Sequence, residues 1–179
     1  CGIVAATGEG VTRFAVDDRV MPCYIQGWRD GAPTAEQRQR RTLGAPLTGV
    51  LQEYIVVPAE DAVAAPPGLS DAEASTLPIA ALTAWSCLLE GGVKAGTNVL
   101  VQGTGGVALF ALQLAKVSGA RVVALTSSHA KAEILRNLGA DAVINYKETP
   151  EWAGAVKEAT QGRGADIIVE TTGSTIPQS

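Results

Sequence analysis

The chain has 179 residues, 46% hydrophobic and 18% charged, so it can bury a core and is not an intrinsically disordered protein. Its net charge is −4, and the arginines at 38, 40 and 41 form only a local run, so a nucleic-acid-binding protein is not expected. No apolar run reaches the ~18 residues of a membrane span, and the widely spaced cysteines favour a reducing, cytoplasmic location.

Residues 1 to about 78 are rich in strand and turn signals. Strands are predicted at Gly2–Ala6, Arg19–Cys23, Gly49–Val57 and Ala62–Ala65, and residues 27–47 are predicted to form a long loop. Since no helix long enough to connect parallel strands lies among them, this part should be antiparallel.

A predicted helical segment connects this part to the next. Ser70 with Asp71 and Glu73 marks a helix start, Leu77–Pro78 interrupts the pattern, and Leu82–Leu89 continues it. We place the boundary between two domains here, with residues 1–78 in the first and 79–179 in the second.

From Thr97 onwards strand and helix patterns alternate, which predicts a parallel sheet covered on both faces. Strands are predicted at 99–102, 121–125, 142–144 and 166–170, and helices at about 106–118, 129–138 and 150–160. A complete dinucleotide-binding sheet of this type has six strands, so the last two are expected to be missing. The strand-like start without an initiator Met also suggests that both ends are cut.

A glycine motif follows the first strand of this alternation. The match to G-x-G-x-x-G/A comprises Gly103, Thr104, Gly105, Gly106, Val107 and Ala108. Gly103 would allow a tight turn, Gly105 would let the backbone approach a pyrophosphate, and Ala108 would let the helix pack closely on the strand. The helix N-terminus would then offer N–H groups to the phosphates, although the glycines could also serve only to close the turn.

The end of the second strand indicates which dinucleotide is bound. NAD sites usually place Asp or Glu here, whereas this chain has Ser127, Ser128 and Lys131 and no carboxylate before Glu133. Hydroxyl donors with a lysine suit a ribose 2′-phosphate, which predicts NADPH in preference to NADH. Ser127 or Ser128 could also be only a helix cap, and Lys131 could be only solvated. His129, the single histidine, suits a solvated position at the rim, although it could also touch the same phosphate.

Together these segments resemble the medium-chain dehydrogenase/reductase superfamily, in particular its quinone oxidoreductase-like and bacterial alcohol dehydrogenase-like members. The resembling stretches cover nearly the whole chain and include GEGVTRF, QEYIVVP, VLVQGTGGVALFALQLAK and the Leu138–Asp141 segment with Ile144–Tyr146. The resemblance implies an α/β chain in which a partial Rossmann sheet is preceded by part of a GroES-like antiparallel β-domain.

The resemblance also implies roles for individual residues. In NADPH-using relatives Lys131 and Tyr146 would line the adenosine-phosphate end of the cofactor, although Tyr146 could instead pack on the sheet edge. Thr83 and Thr171 to Gly173 would lie nearer the nicotinamide. Where zinc-dependent relatives carry a catalytic Cys this chain has Ile79, which cannot bind a metal, so we expect no zinc.

The favoured function is an NADPH-dependent oxidoreductase that transfers hydride to or from a carbonyl, enone or quinone, with no proton donor assigned. The alternatives are a nucleotide-binding or redox-responsive module without turnover, and an alcohol dehydrogenase acting on a primary or secondary alcohol. An S-adenosylmethionine-dependent methyltransferase is disfavoured because the second strand ends without a carboxylate. We expect a small-molecule substrate, no nucleic-acid or membrane partner, and, by resemblance, a full-length homodimer.

Overall fold

In the computed structural model, which describes residues 1–171, 173 and 176–179, the chain separates into two units, Cys1–Ile79 and Ala80–Ser179. The first unit contains a three-stranded antiparallel sheet in the order β1–β2–β3. Its strands are β1 (Gly2–Ile3), β2 (Arg19–Pro22) and β3 (Ala62–Ala64). The antiparallel arrangement predicted for this part of the chain is therefore confirmed.

Two short helices of the first unit begin with reciprocal caps. They are α1 (Ala35–Arg40), which begins after Thr34, and α2 (Asp71–Ala74), which begins after Ser70. In each, the cap hydroxyl accepts a backbone N–H three residues on, and the Gln or Glu side chain there accepts the N–H of the cap residue. The prediction that residues 27–47 form a loop throughout is therefore wrong, because α1 lies within them. The Ser/Thr-x-x-Gln/Glu spacing is the sequence signal that identifies this helix.

The predicted strand Gly49–Val57 is also wrong. Residues 49–57 are irregular and belong to none of the described strands, and the side chains of Leu51 and Val56 are 103% and 98% exposed. Alternating apolar residues make a segment able to pair, but a strand forms only where a partner supplies hydrogen bonds and a surface to cover.

Residues 71–90 are helical over most of their length. A π-helical segment, Leu77–Ala81, separates α2 from α3 (Leu82–Glu90), and Pro78, which has no N–H, lies within it. The stretch Asp71–Glu90 has 20 residues and a mean hydropathy of 1.2, which is long and apolar enough for a membrane span. The expectation that no stretch reaches that length is therefore wrong, although one such helix is weak evidence because helices of soluble proteins meet the same criterion.

The second unit is built on a parallel four-stranded sheet in the order β6–β5–β4–β7. This is the order of the first four strands of a Rossmann sheet, so the predicted fold class is confirmed. The elements that follow α3 are β4 (Asn98–Gln102), α4 (Gly106–Val117), β5 (Arg121–Thr126), α5 (His129–Asn137), β6 (Ala142–Asn145), α6 (Trp152–Ala159), β7 (Ile167–Val169) and a 3₁₀ turn (Ile176–Gln178).

Helices cover both faces of this sheet, and β4 is buried along its whole length. Val99 and Val101 pack into one core with Leu88 of α3 and Leu112 of α4. Leu100 points the other way and packs with a second group that includes Val123, Leu125, Trp152 and Val156. Because successive residues of a strand face opposite sides, the three consecutive apolar residues of β4 fit a sheet covered on both faces.

Candidate functional site

The carboxyl ends of the four parallel strands meet at one edge of the sheet. Gly103 follows β4, Thr126 ends β5, Tyr146 follows β6 and Thr171 comes two residues after β7. Backbone hydrogen bonds fix this edge: the N–H of Gly103 donates to Leu125 at 2.9 Å, and that of Tyr146 donates to Thr126 at 3.0 Å. In open α/β sheets ligands bind outside this edge, so it is the candidate site.

The turn between β4 and α4 favours glycine at two positions for different reasons. Gly103 has φ +85°, a left-handed conformation that costs free energy for any residue with a side chain. A Cβ on Gly106 would lie 3.3 Å from the Cβ of Ala80, closer than side chains normally approach. Ala108 is 4% exposed and packs in the core, as its place in the motif predicts.

Gly105 is the N-cap of α4 and, like Gly106, is exposed. Because glycine has no side chain, no cap side chain covers the N–H groups in the first turn of this helix. Thr104 and Val107 are half-buried beside them. An exposed helix N-terminus with uncapped N–H groups is suited to binding phosphate.

The end of β5 contains an unpaired buried hydroxyl. Thr126 is 1% exposed, and its Oγ1 finds no hydrogen-bond partner among the described residues. A buried hydroxyl costs about 1–3 kcal/mol unless a protein group, an ordered water or a ligand supplies its hydrogen bond, so Thr126 is a candidate for contact with a ligand. Sequence reasoning did not include Thr126 among the site residues, because a threonine at a strand end carries no signal of an unpaired hydroxyl.

The segment that follows Thr126 contains the predicted phosphate-binding residues. The Oγ of Ser128 accepts the N–H of Lys131 at 3.4 Å and therefore caps α5, while Ser127 is half-buried and is not the cap. The side chain of Lys131 is exposed one turn into the helix. The backbone N–H of Tyr146 donates to the Thr126 carbonyl, which places Tyr146 next to this strand end. Tyr146 is 41% exposed there.

A side-chain contact that sequence reasoning missed connects α5 to the segment after β6. His129 Nε2 lies 2.8 Å from Glu148 Oε1. The same carboxylate oxygen accepts a hydrogen bond from Asn145 Nδ2, also at 2.8 Å. The two partners are 19 positions apart in the sequence, so no local motif indicates the pair.

The residues predicted to lie near the nicotinamide are found on α3 and in the segment after β7. Thr83 is exposed in the first turn of α3, three residues after the Ala80 that contacts the glycine turn. Thr171 is also exposed, and the N–H of Gly173 donates to Glu170 at 3.0 Å. Thr172 lies outside the described residues. The roles of all these residues in cofactor binding stay predictions.

Two family models match the chain in succession. The alcohol dehydrogenase GroES-like domain matches residues 1–67, and the zinc-binding dehydrogenase model matches residues 106–179. The two matches therefore lie one after the other along the chain, the first within Cys1–Ile79 and the second within Ala80–Ser179. The chain belongs to the medium-chain dehydrogenase/reductase superfamily, which confirms the resemblance found in the sequence.

Individual relatives agree with this assignment. The chain is 44% identical to a zinc-type alcohol dehydrogenase-like protein of Schizosaccharomyces pombe over 99% of its own length and 52% of that protein. The crystal structure of a candidate alcohol dehydrogenase from Sinorhizobium meliloti 1021 is 48% identical with a TM-score of 0.90, over 97% of this chain and 52% of that one. The quinone oxidoreductase of Thermus thermophilus, determined also in complex with NADPH, is 34% identical with a TM-score of 0.64, over 74% and 43%. The chain thus spans about half the length of these relatives.

The described residues do not fit a zinc site. They contain no group of three or more His, Cys, Asp or Glu side chains arranged to hold a metal ion. Cys23 is half-buried, and its pKa is raised by burial and then by the nearby Asp61 carboxylate.

The same residues do fit a dinucleotide. An unpaired hydroxyl on Thr126, an exposed glycine backbone and an uncapped helix N-terminus lie at one sheet edge, and each is suited to a ligand that accepts hydrogen bonds and carries negative charge. The comparisons support a nicotinamide cofactor and leave the choice between its phosphorylated and unphosphorylated forms to the residues of this site.

Proposed function

We propose that this chain is the nucleotide-binding part of a zinc-independent oxidoreductase that uses NADPH in preference to NADH. The observation that carries the proposal is the end of β5. Thr126, Ser127 and Ser128 present hydroxyls there, Lys131 presents a positive charge, and a ribose-binding carboxylate is absent from residues 126–132, all of which the structure describes. Hydroxyl and ammonium donors suit a 2′-phosphate, whereas a carboxylate would repel it.

Each part of the edge contributes separately to binding. The left-handed turn at Gly103 and the exposed Gly105 let the backbone approach a pyrophosphate, and the first-turn N–H groups of α4 donate to it. Ser128 orders the first turn of α5 and so fixes the helix from which Lys131 projects. When bound, the nicotinamide supplies or accepts the hydride.

The named relatives support the proposed substrate class. A carbonyl, an enone or a quinone can accept hydride directly, and the Thermus thermophilus neighbour is a quinone oxidoreductase. An alcohol is the same chemistry run in reverse, and relatives named alcohol dehydrogenase favour it as the second candidate. In either direction the protein aligns donor with acceptor.

A fluorescence titration of the chain with NADPH and with NADH tests the proposal. We expect tighter binding of NADPH, and Lys131→Glu should weaken it by about ten-fold or more while leaving NADH nearly unchanged, because hydrogen bonds to charged groups contribute about 1.5–3 kcal/mol. Lys157→Glu is the matched control, since it makes the same charge change on an exposed residue near the C-terminal end of α6. Equal or tighter binding of NADH would contradict the cofactor assignment.

Turnover is tested separately by following NADPH consumption with a 1,4-naphthoquinone. Consumption supports an oxidoreductase activity in the chain itself. Binding without consumption would instead favour a nucleotide-binding module, the second class of function that the sequence left open.

A further inference from the structure

The contact between His129 and Glu148 lies at the same sheet edge, and the proposed function does not use it. His129 is the first residue of α5, directly after the cap Ser128, and its side chain is 83% exposed. Glu148 lies in the segment after β6, two residues beyond Tyr146, and its side chain is 56% exposed. The pair therefore joins the two segments that carry the predicted residues of the adenosine-phosphate end.

Glu148 is held in place and is not a freely moving surface carboxylate. Its Oε1 accepts a hydrogen bond from Asn145 Nδ2 at 2.8 Å, and its backbone N–H donates to the Asn145 carbonyl at 3.0 Å. The Oδ1 of Asn145 in turn accepts the N–H of Lys147 at 3.2 Å. Asn145 is the last residue of β6, so the carboxylate is fixed relative to the sheet edge.

The charges on these two segments balance, so a single proton changes their sum. Helix α5 carries Lys131, Glu133 and Arg136, and the segment between β6 and α6 carries Lys147, Glu148 and Glu151 beside the phenol of Tyr146. With neutral His129 the three positive and three negative charges cancel, and protonation of His129 makes the sum +1. Histidine is the side chain whose charge ordinarily changes between pH 5 and 8.

A second observation points to a ligand at this place. The buried Oγ1 of Thr126, three residues before His129, has no hydrogen-bond partner in the described part of the chain. The Thr126 carbonyl accepts the N–H of Tyr146 at 3.0 Å, so the strand end that carries this hydroxyl is joined directly to the segment after β6. A ligand that bonds to this strand end lies close to the segments that carry His129 and Glu148.

We infer that His129 and Glu148 form a proton-dependent specificity element for the ribose phosphate. This inference rests on the proposed NADPH function. When His129 is neutral, the Glu148 carboxylate opposes a nearby 2′-phosphate. When His129 is protonated, it neutralises Glu148, so the preference for NADPH over NADH rises as the pH falls. The effect of one exposed charge is about two- to five-fold in relative affinity.

The single histidine allows a direct test by nuclear magnetic resonance. His129 is the only histidine in the chain, so its imidazole C–H signals are unambiguous. If protonation strengthens NADPH binding two- to five-fold, then NADPH must by reciprocity move the midpoint of the His129 titration upward by about 0.3–0.7 pH unit. NADH, which has no 2′-phosphate, should move the midpoint less.

Variants give an independent measurement of affinity. Between pH 8.0 and 6.5 the ratio of the NADH Kd to the NADPH Kd should rise about two- to five-fold in the wild type and stay nearly constant in His129→Gln. Glu148→Gln should raise the ratio at pH 8.0. Glu158→Gln, the same change on an exposed residue of α6 near its C-terminal end, should leave the ratio unchanged. The 2′-phosphate of NADPH also changes charge in this pH range, since its second pKa is about 6. This effect is the same for the wild type and for His129→Gln, so it cancels when their ratios are compared.

The outcomes separate the inference from the proposed function. A larger midpoint shift with NADPH than with NADH, together with a flat ratio in His129→Gln, supports the inference. Preferred NADPH binding with equal midpoint shifts for both dinucleotides, or with wild-type pH dependence in His129→Gln, overturns the inference alone. Equal binding of the two dinucleotides at every pH overturns both.

Discussion

Replacing Thr126 by Val should stabilise the free protein and weaken dinucleotide binding. Valine has nearly the same shape and suits a buried strand, but it lacks the hydroxyl that has no partner within the described residues. Removing an unsatisfied buried hydroxyl recovers part of a cost of about 1–3 kcal/mol, so we expect the free energy of unfolding to rise by about 1 kcal/mol. The same substitution removes a donor from the ligand edge and should raise the Kd for NADPH about two- to ten-fold.

Thr160→Val is the matched control for this prediction. Thr160 is also buried, at 3% exposure, but its Oγ1 donates to the Val156 carbonyl at 2.8 Å and accepts the N–H of Gly164 at 2.9 Å. Valine there leaves the Gly164 N–H without its partner, so this variant should lose about 1–3 kcal/mol.

Urea unfolding followed by circular dichroism measures the stability of both variants, and fluorescence titration measures their affinity. The opposite signs of the two stability changes are the diagnostic result. If Thr126→Val destabilises the protein as much as Thr160→Val does, then the Thr126 hydroxyl is already satisfied in the free protein and the reasoning is refuted.

Three further predictions concern stability, each measured by urea unfolding. Gly103→Ala forces a side chain into a backbone with φ +85° and should cost about 1–2 kcal/mol; an unchanged stability would show that the turn relaxes. Partial burial acts to raise the pKa of Asp141, but hydrogen bonds from Lys116 and from the Val122 backbone outweigh it and lower that pKa. Asp141 therefore adds stability above pH ~4 that is lost as the pH falls through its folded pKa, and Asp141→Asn should flatten this acid limb; an acid limb as steep as in the wild type would contradict this. Arg29→Met leaves the 2%-exposed Asp61 carboxylate with the Gly27 N–H as a donor but without the guanidinium at 2.8 Å, and should cost about 3 kcal/mol, more than Asp61→Asn; the reverse order would contradict the argument.

The second unit could be predicted largely from the sequence because its signals are local and redundant. Strand β4 is apolar over most of its length, and a glycine turn follows it. Helix α4 begins at Gly106, where the sequence pattern predicts it. Parallel connection follows from the alternation of elements alone. The ends of most predicted elements differ from the observed ones by only one or two residues.

The first unit was less predictable because its structure depends on partners. Helix α1 is encoded by a four-residue cap signal inside a polar segment, which composition alone does not reveal. Residues 49–57 carry a clear strand pattern yet pair with no described strand. The pattern encodes a capacity for pairing, and whether pairing occurs depends on residues far away in the sequence.

The candidate site was predictable to the extent that it follows one motif. The glycines, Ser127, Ser128 and Lys131 lie within 29 positions, and strand topology brings Tyr146 to the same edge. The unpaired Thr126 hydroxyl and the pair of His129 with Glu148 were not predictable, because both depend on three-dimensional distances between side chains. The domain boundary and the cytoplasmic location stay predictions.

The unpaired segment at residues 49–57 also determines how the chain should respond to a protease. Exposed, irregular backbone is what a protease active site can bind, and Leu51, Tyr54 and Val56 present their side chains to solvent there. One cut in this segment would separate β3 from the other two strands of its sheet but leave every residue of Ala80–Ser179 in one piece. A brief digestion should therefore yield a nicked chain in which the candidate site lies on one uncut fragment.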